Sequence, residues 1–361
     1  MQHEVQIKQF ELKEQEALLA FLRIAYADEP RKSDADYWKW HFCDAPLAAP
    51  DNIPLWVVKS DNEIVGQLAA IPVELKVNTT ITHAIWVLDF VVRQDYRRQG
   101  LGKRLVLAAR ESYPTMLTLG INEQSTAVFQ SLKWKALGGV HRYQRLLFPG
   151  NAIRETAKIG SVRKAVNLFY APLRPRISTL TKTQSAQREI KEITEIDSSF
   201  DDLWQRVSSQ WNCAVVRNPQ YLEWQFMKQP GKKFNVLALY ERGELIGYIV
   251  LFIRKPEHSN EPPKASIADL LYSSNNSVEV IDELLRAALR LAIERRAGSL
   301  VTDVLDPKVE ERLKKFGFWR IKKSPQFMAS AVENQEFIYQ QSNWFLTRGD
   351  SDVSIFEQSN L

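Results

Sequence analysis

From Ala84 to Val92 the chain reads Ala-Ile-Trp-Val-Leu-Asp-Phe-Val-Val, apolar everywhere except Asp89, the pattern of a strand covered on both faces. Past Gly100 the period changes. Leu101, Leu105, Ala108 and Ala109 recur at helical spacing, leaving Lys103, Arg104 and Arg110 for the opposite face. Upstream, the pattern predicts strands at 55–60 and 63–71 around an Asp61-Asn62 turn, then at 73–77, with a polar turn at Asn78-Thr79-Thr80 before the apolar strand. Downstream it predicts a short strand at 115–119, a helix through Ala127, Val128 and Leu132, and a closing strand where residues alternate from Val140 to Phe148.

The same landmarks occur twice. Tyr37-x-x-Trp40-x-Phe42-x-x-x-Pro46 returns as Tyr221-x-x-Trp224-x-Phe226-x-x-x-Pro230, 184 residues on. Glu63-Ile64-Val65-Gly66 returns as Glu244-Leu245-Ile246-Gly247 at 181, and Leu88-Asp89 as Ala268-Asp269 at 180. A period this long predicts two tandem domains rather than a solenoid. The second copy keeps an amphipathic helix from Ser277 to Arg296, but Ser273 to Val278 before it contain neither glycine nor cation.

In the first copy the strand-to-helix junction is Arg97-Arg98-Gln99-Gly100-Leu101-Gly102-Lys103. Glycines let backbone N–H groups approach a ligand closely, the helix N-terminus favours an anion, and Arg97, Arg98 and Lys103 add full charges. The alternative is a tight turn with solvated arginines. Neither a Walker loop nor the three-glycine dinucleotide fingerprint is present.

With Arg97, Gly100 and Gly102 in its defining positions, the segment from Leu88 to Leu105 resembles motif A of the GNAT N-acyltransferase superfamily, and the order of elements over the first 150 residues is similar to that family's. The resemblance implies two tandem α/β (α+β) domains, each a mixed, mostly antiparallel sheet flanked by helices. Residues 1–150 would bind acyl-CoA, 151–192 would be a basic linker, and 193–361 a degenerate copy. Acetyl-CoA or another acyl-CoA is the implied co-substrate. Its diphosphate is expected on Arg97, Arg98, Gln99, Gly100, Leu101, Gly102 and Lys103, and its pantetheine along Phe90, Val91 and Val92, with Asn122 a further contact or a helix cap and Phe129 also expected at the coenzyme. The reaction implied is direct transfer of the acyl group to an amine.

Asp89, the lone ionisable group from Ile85 to Val92, is the candidate acid or base, with a structural role as the alternative because Asp269 recurs in the copy that lacks the loop. Phe129 falls where the family often carries a tyrosine that protonates the departing thiolate, so Tyr96, Tyr113, solvent or a second-copy residue is left to supply that proton. Two other functions stay open: a non-catalytic acyl-CoA-binding or scaffold protein, and a Fem-type aminoacyl transferase.

The acceptor is less legible. Tyr37, Trp38, Trp40, Phe42 and Trp56 could stack on an amino sugar or pack a core. In layout, including the ending from Trp344 to Asp352, the chain also resembles tandem GNAT proteins associated with bacterial polysaccharide assembly. A net charge of +5 is too mild to imply nucleic acid, and five histidines and two cysteines form no metal-ligand pattern. Between residues 151 and 192, however, nine cations face three carboxylates, a surface suited to peripheral contact with anionic lipid or to a solvated connector. The start lacks a secretory pattern and the cysteines lack a pairing pattern, so a cytoplasmic enzyme is expected.

Overall fold

The computed structural model describes residues 5–49, 51–152, 160–173, 187–254, 263–322, 324–331 and 336–350. Arg154, Lys158, Arg174, Arg176 and Lys182 of the expected linker, and the last two residues of the Trp344 to Asp352 ending, lie outside them. The first half runs β1(Val5–Gln9), α1(Gln15–Ala25), α2(Ala35–Phe42), β2(Leu55–Ser60), β3(Glu63–Val77), β4(Thr80–Val92), α3(Leu101–Ser112), β5(Met116–Leu119), α4(Glu123–Ser131), β6(Lys135–Gly139) and β7(His141–Leu146). After α5(Gly160–Tyr170) the second half runs β8(Arg188–Ile193), α6(Ser199–Val207), β9(Cys213–Val215), α7(Pro219–Leu222), β10(Phe234–Glu241), β11(Glu244–Arg254), β12(Lys264–Tyr272), α8(Ser277–Glu294), β13(Ser299–Leu305), α9(Pro307–Lys315), β14(Trp319–Arg320), β15(Gln326–Ser330) and β16(Leu346–Thr347).

These strands make two mixed, mostly antiparallel sheets of eight. Alternation along β2 shows how the first is buried: Trp56 and Val58 pack with α3 residues Leu101, Leu105, Val106 and Ala109, while Leu55 and Val57 face Leu18, Leu22, Trp38 and Phe42 of α1 and α2. The two stretches expected at 63–71 and 73–77 form one strand, β3, despite Pro72. Ile85, opposite Pro72, sends its N–H the other way, to Thr115 O. Pro72 therefore needs no N–H toward β4, and on its other side β2 has already ended at the Leu55–Ala69 pair.

The ends of the two halves differ from the expectation. Residues 140–148 do not finish the first sheet. β7 crosses to the second sheet and lies between β13 and β14, while β15 returns to the first and lies between β5 and β6. The reason is visible in the side chains. The β15 slot buries Phe327, Met328 and Ala329, whereas β7 carries Arg142, Gln144 and Arg145. The exchange means that a division at residues 150 and 193 cuts through both sheets.

The two halves also meet around the repeated aromatic motif. Trp40 Nε1 donates to the carbonyl of Trp224 at 2.9 Å, Trp224 Nε1 donates to that of Trp40 at 2.9 Å, and the two rings stack with centroids 5.1 Å apart. Tyr37, Trp38, Trp40, Phe42 and Trp56 are all buried, so this cluster packs the core and offers no face to a sugar.

His41, beside Trp40, is fully buried. Desolvation, reinforced by the charges of Lys32, Arg31 and Lys232, pushes its pKa down to about 3. Below pH 6.5 the unfolded chain therefore takes up a proton that the folded chain refuses, and stability falls as pH falls from 6.5 toward 3. Replacing His41 with Gln, the residue at the matching place in the second copy (Gln225), is expected to flatten this part of the profile. By pH 4.5 the difference should reach about 2–3 kcal/mol in urea titrations; parallel profiles for the two proteins would contradict the assignment.

Candidate active site

The site begins with one extra residue in β4. Leu68 pairs with Phe90 and Ala70 with Val87, so Leu88 and Asp89 together oppose Ala69. This bulge bends β4 away from its parallel neighbour. β5 pairs with β4 at Ile85 and Trp86, the Thr118 hydroxyl reaches Val87 O at 3.0 Å, and beyond that the two strands part. The bulge also fixes which backbone groups face the gap. Arg93 N–H turns back to Val65 O, so by alternation Phe90 and Val92 present their N–H and C=O groups to the opening.

At the mouth of the gap, α3 begins. Arg98 and Gly100 adopt left-handed φ of 64° and 74°, and Gly100 is the helix N-cap without any side-chain cap. By contrast, α2, α4, α7 and α9 are each capped by an Asp or Asn side chain. The first amides of α3 thus remain available at its positive end. Arg97 braces the turn by donating from Nε to Val92 O at 2.9 Å, while Arg98 and Lys103 have no ion-pair partner among the described residues.

The gap and the loop open into one cleft of about 1480 Å³. Phe90, Val91, Val92, Arg97, Arg98, Gly100, Leu101, Gly102, Lys103 and Asn122 all line it. Asn122 does two things, because its side chain also caps α4 by accepting from Ser125 N–H at 2.8 Å. Gln99 is exposed but off the lining. Phe129 is fully buried between Phe90 and Trp134 and has no access to the cleft. Asp89 is also buried, held by Lys32 Nζ at 2.6 Å; Lys32 reaches the cleft and Asp89 does not. Tyr113 packs edge-on against Trp56, away from the lining, whereas Tyr96 is on it.

The other wall was not foreseen from the sequence. Glu29 and Lys32 come from the segment between α1 and α2, Arg142 from β7, Lys264 from the start of β12, and Arg348 from the turn after β16. Glu29 is the sole carboxylate in the lining among the described residues. No run or spacing marks these positions; strand exchange and tertiary folding bring them together.

The second copy keeps the same frame and fills it. Val250 pairs with Asp269 and Leu251 with Ile267, so a bulge recurs beside Asp269, and β12 and β13 pair for three residues before parting. That gap is occupied by the chain itself: β16 pairs with β13, and Thr347 and Asp350 close around Arg217 and Asp269. The pair Arg217–Asp269 answers Lys32–Asp89, but both its members are fully buried. At the start of α8, Asn276 takes the left-handed place of Gly100, and Glu279 puts negative charge in the first turn, which opposes an anion.

A bulged strand, a parted parallel pair and an uncapped cationic helix start define the architecture of an acyl-CoA-dependent N-acyltransferase. Residues 18–133 match the acetyltransferase (GNAT) family, and the two sheets of eight strands fit a tandem arrangement of that fold. No curated protein sequence matches this chain. Among solved structures, a GCN5-related N-acetyltransferase from Anabaena variabilis superposes with a TM-score of 0.62 at 12% identity, covering 93% of this chain and 75% of that one. The N-myristoyltransferase of Saccharomyces cerevisiae with bound myristoyl-CoA gives 0.60 at 13%, covering 90% and 82%. A GCN5-related N-acetyltransferase from Kribbella flavida gives 0.56 at 11%, covering 94% and 74%. At such identities the likeness is one of fold. Among the described residues no group of three or more His, Cys, Asp or Glu could hold a metal, and no helix is long and apolar enough to cross a membrane.

Proposed function

We propose that this protein transfers an acetyl group from acetyl-CoA to an amine bound in the cleft between its two sheets. The observation that carries this reading is the uncapped start of α3, which opens onto the gap between β4 and β5 with two cations that have no ion-pair partner among the described residues. The amides of Gly100 to Lys103, with Arg98 and Lys103, hold the diphosphate. The open edge of β4 at Phe90 and Val92 pairs with the amides of the pantetheine arm as an added strand would. The co-substrate supplies the thioester. Glu29, as the carboxylate of the lining, takes the proton from the acceptor ammonium; the Tyr96 hydroxyl donates to buried Ser60 Oγ at 3.2 Å, so the departing thiolate takes its proton from solvent. Asp89 holds Lys32 in position.

A thiol-release assay with acetyl-CoA and a panel of amines tests the reading, alongside calorimetric titration with CoA. Release above the hydrolysis background supports it; binding without release makes the protein an acyl-CoA sensor, and no binding removes the site. Glu29→Gln is expected to lower kcat by about 10²–10³ while leaving the KM for acetyl-CoA in place, the range for loss of a general base. Retention of most of the parent kcat would take the proton-acceptor role from Glu29.

A further inference from the structure

The most exposed large apolar side chains belong to neither sheet. Phe169 is 85% and Leu168 76% exposed, the two highest values for such side chains among the described residues. Both sit on α5, where Val162, Ala165 and Phe169 recur at helical spacing with Leu168 beside them, all exposed. The helix is turned apolar side out. Its other side is fixed to the protein: Asn167 Oδ1 accepts from Gly150 N–H at 2.8 Å, and Val166 and Tyr170 are half-buried. A surface helix ordinarily buries its apolar stripe and offers water its polar one. Reversing that order leaves an apolar strip in the open, which marks a surface that meets something else.

Charge decides what it meets. α5 holds Arg163 and Lys164 and no carboxylate, and residues 151–192 as a whole carry nine cations against three carboxylates. The fold sets more cations around it. Phe148, just before the Gly150 turn, lies 6.0 Å from the Arg296 guanidinium, which places the end of α8, with exposed Arg295, beside the base of α5. Tyr170, which closes α5, lies near enough to act electrostatically on Arg145. Arg145 in turn donates to the carbonyl of Phe316 at the end of α9, where Lys314 and Lys315 are exposed. The carboxylates there, Glu294 and Glu311, are engaged by Arg290 and Lys315. Lys164, Arg295 and Lys314 have no ion-pair partner among the described residues.

We propose that α5 docks this protein on an anionic lipid bilayer, with Phe169, Leu168 and Val162 inserted among the headgroups and Lys164 and its cationic neighbours against the lipid phosphates. A helix of 11 residues is too short to span a bilayer, so it lies in the interface. A second copy of this chain fits less well, since a face-to-face pairing would set Arg163 and Lys164 against their own equivalents. A membrane needs no matching groove, and its negative surface answers the cations. Docking by this helix is independent of the reaction in the cleft.

Flotation of the full-length protein with lipid vesicles is the test. Vesicles of phosphatidylcholine mixed with phosphatidylserine are expected to carry the protein, and vesicles of phosphatidylcholine alone to bind it at least about tenfold less, the weight of two or more cations near the surface. Added salt should weaken the binding by screening those charges. Phe169→Ser is expected to weaken partitioning about tenfold or more, because one large apolar side chain leaves the interface, while its circular dichroism stays that of the parent. Ile24→Ser removes a similarly exposed side chain (75%) from α1 and should change nothing. Vesicle binding that ignores Phe169→Ser, or that falls as far with Ile24→Ser, overturns the proposal. Equal binding to both lipid compositions overturns it as well, as does no binding to either. So does a dimer in sedimentation velocity that Phe169→Ser splits into monomers, since a second copy would then cover this face.

Discussion

Gly100→Val is expected to leave both sheets folded and to weaken coenzyme A binding by about a hundredfold or more, the loss of two charge-assisted backbone contacts. A Cβ at residue 100 would meet nothing within 4 Å, so the protein itself does not forbid it. The ligand's space does. Valine also resists the φ of 74° that Gly100 holds, which pulls the loop away from the shape that gathers its amides. Gly102→Val acts by a second route, since its Cβ would fall 2.9 Å from the Phe90 ring and push on the strand edge bordering the cleft. Calorimetric titration with CoA reads both. Affinity within about threefold of the parent, which is under 1 kcal/mol, would detach the coenzyme from this loop.

The second large effect is on stability. Arg217→Ala should lower it by about 3–5 kcal/mol, the penalty for removing one member of a buried ion pair. Asp269 would keep the Tyr248 and Thr347 hydroxyls at 2.8 Å but lose its charge partner, and Asp350, whose pKa burial already raises against the pull of Arg217, would lose its guanidinium contact at 2.8 Å. For a chain of 361 residues the shift in melting temperature is about 4–7 °C. The thermogram should remain a single transition, because β7 and β15 tie each sheet to the other half. A shift below about 1 °C, or two resolved transitions, would contradict the network or the coupling.

What could be read from the chain was local. The apolar run to Val92, the glycines after it and the period of α3 each leave a mark within a dozen residues, and the repeated Tyr-x-x-Trp-x-Phe announced the duplication. The bulge at Leu88-Asp89 left no mark, because a single extra residue in an apolar strand preserves composition and changes register alone. Asp89 invited a catalytic role for the same reason: a lone carboxylate in an apolar strand must have a partner, but the sequence does not say that Lys32, 57 residues away, is that partner. Strand exchange was equally hidden. β7 has the alternation of any closing strand, and which sheet it joins depends on whether Phe327 or an arginine fills the slot beside β5.

Trp40 and Trp224 hold each other by the same pair of bonds in both directions, as identical residues do across the two-fold axis of a symmetric dimer. A one-copy protein making these contacts, and lending its final strand to its twin, would be a domain-swapped homodimer with two equivalent reaction centres. Within one chain the two halves have diverged: one crevice lies open, while the other is filled by Thr347 and Asp350 of the same polypeptide.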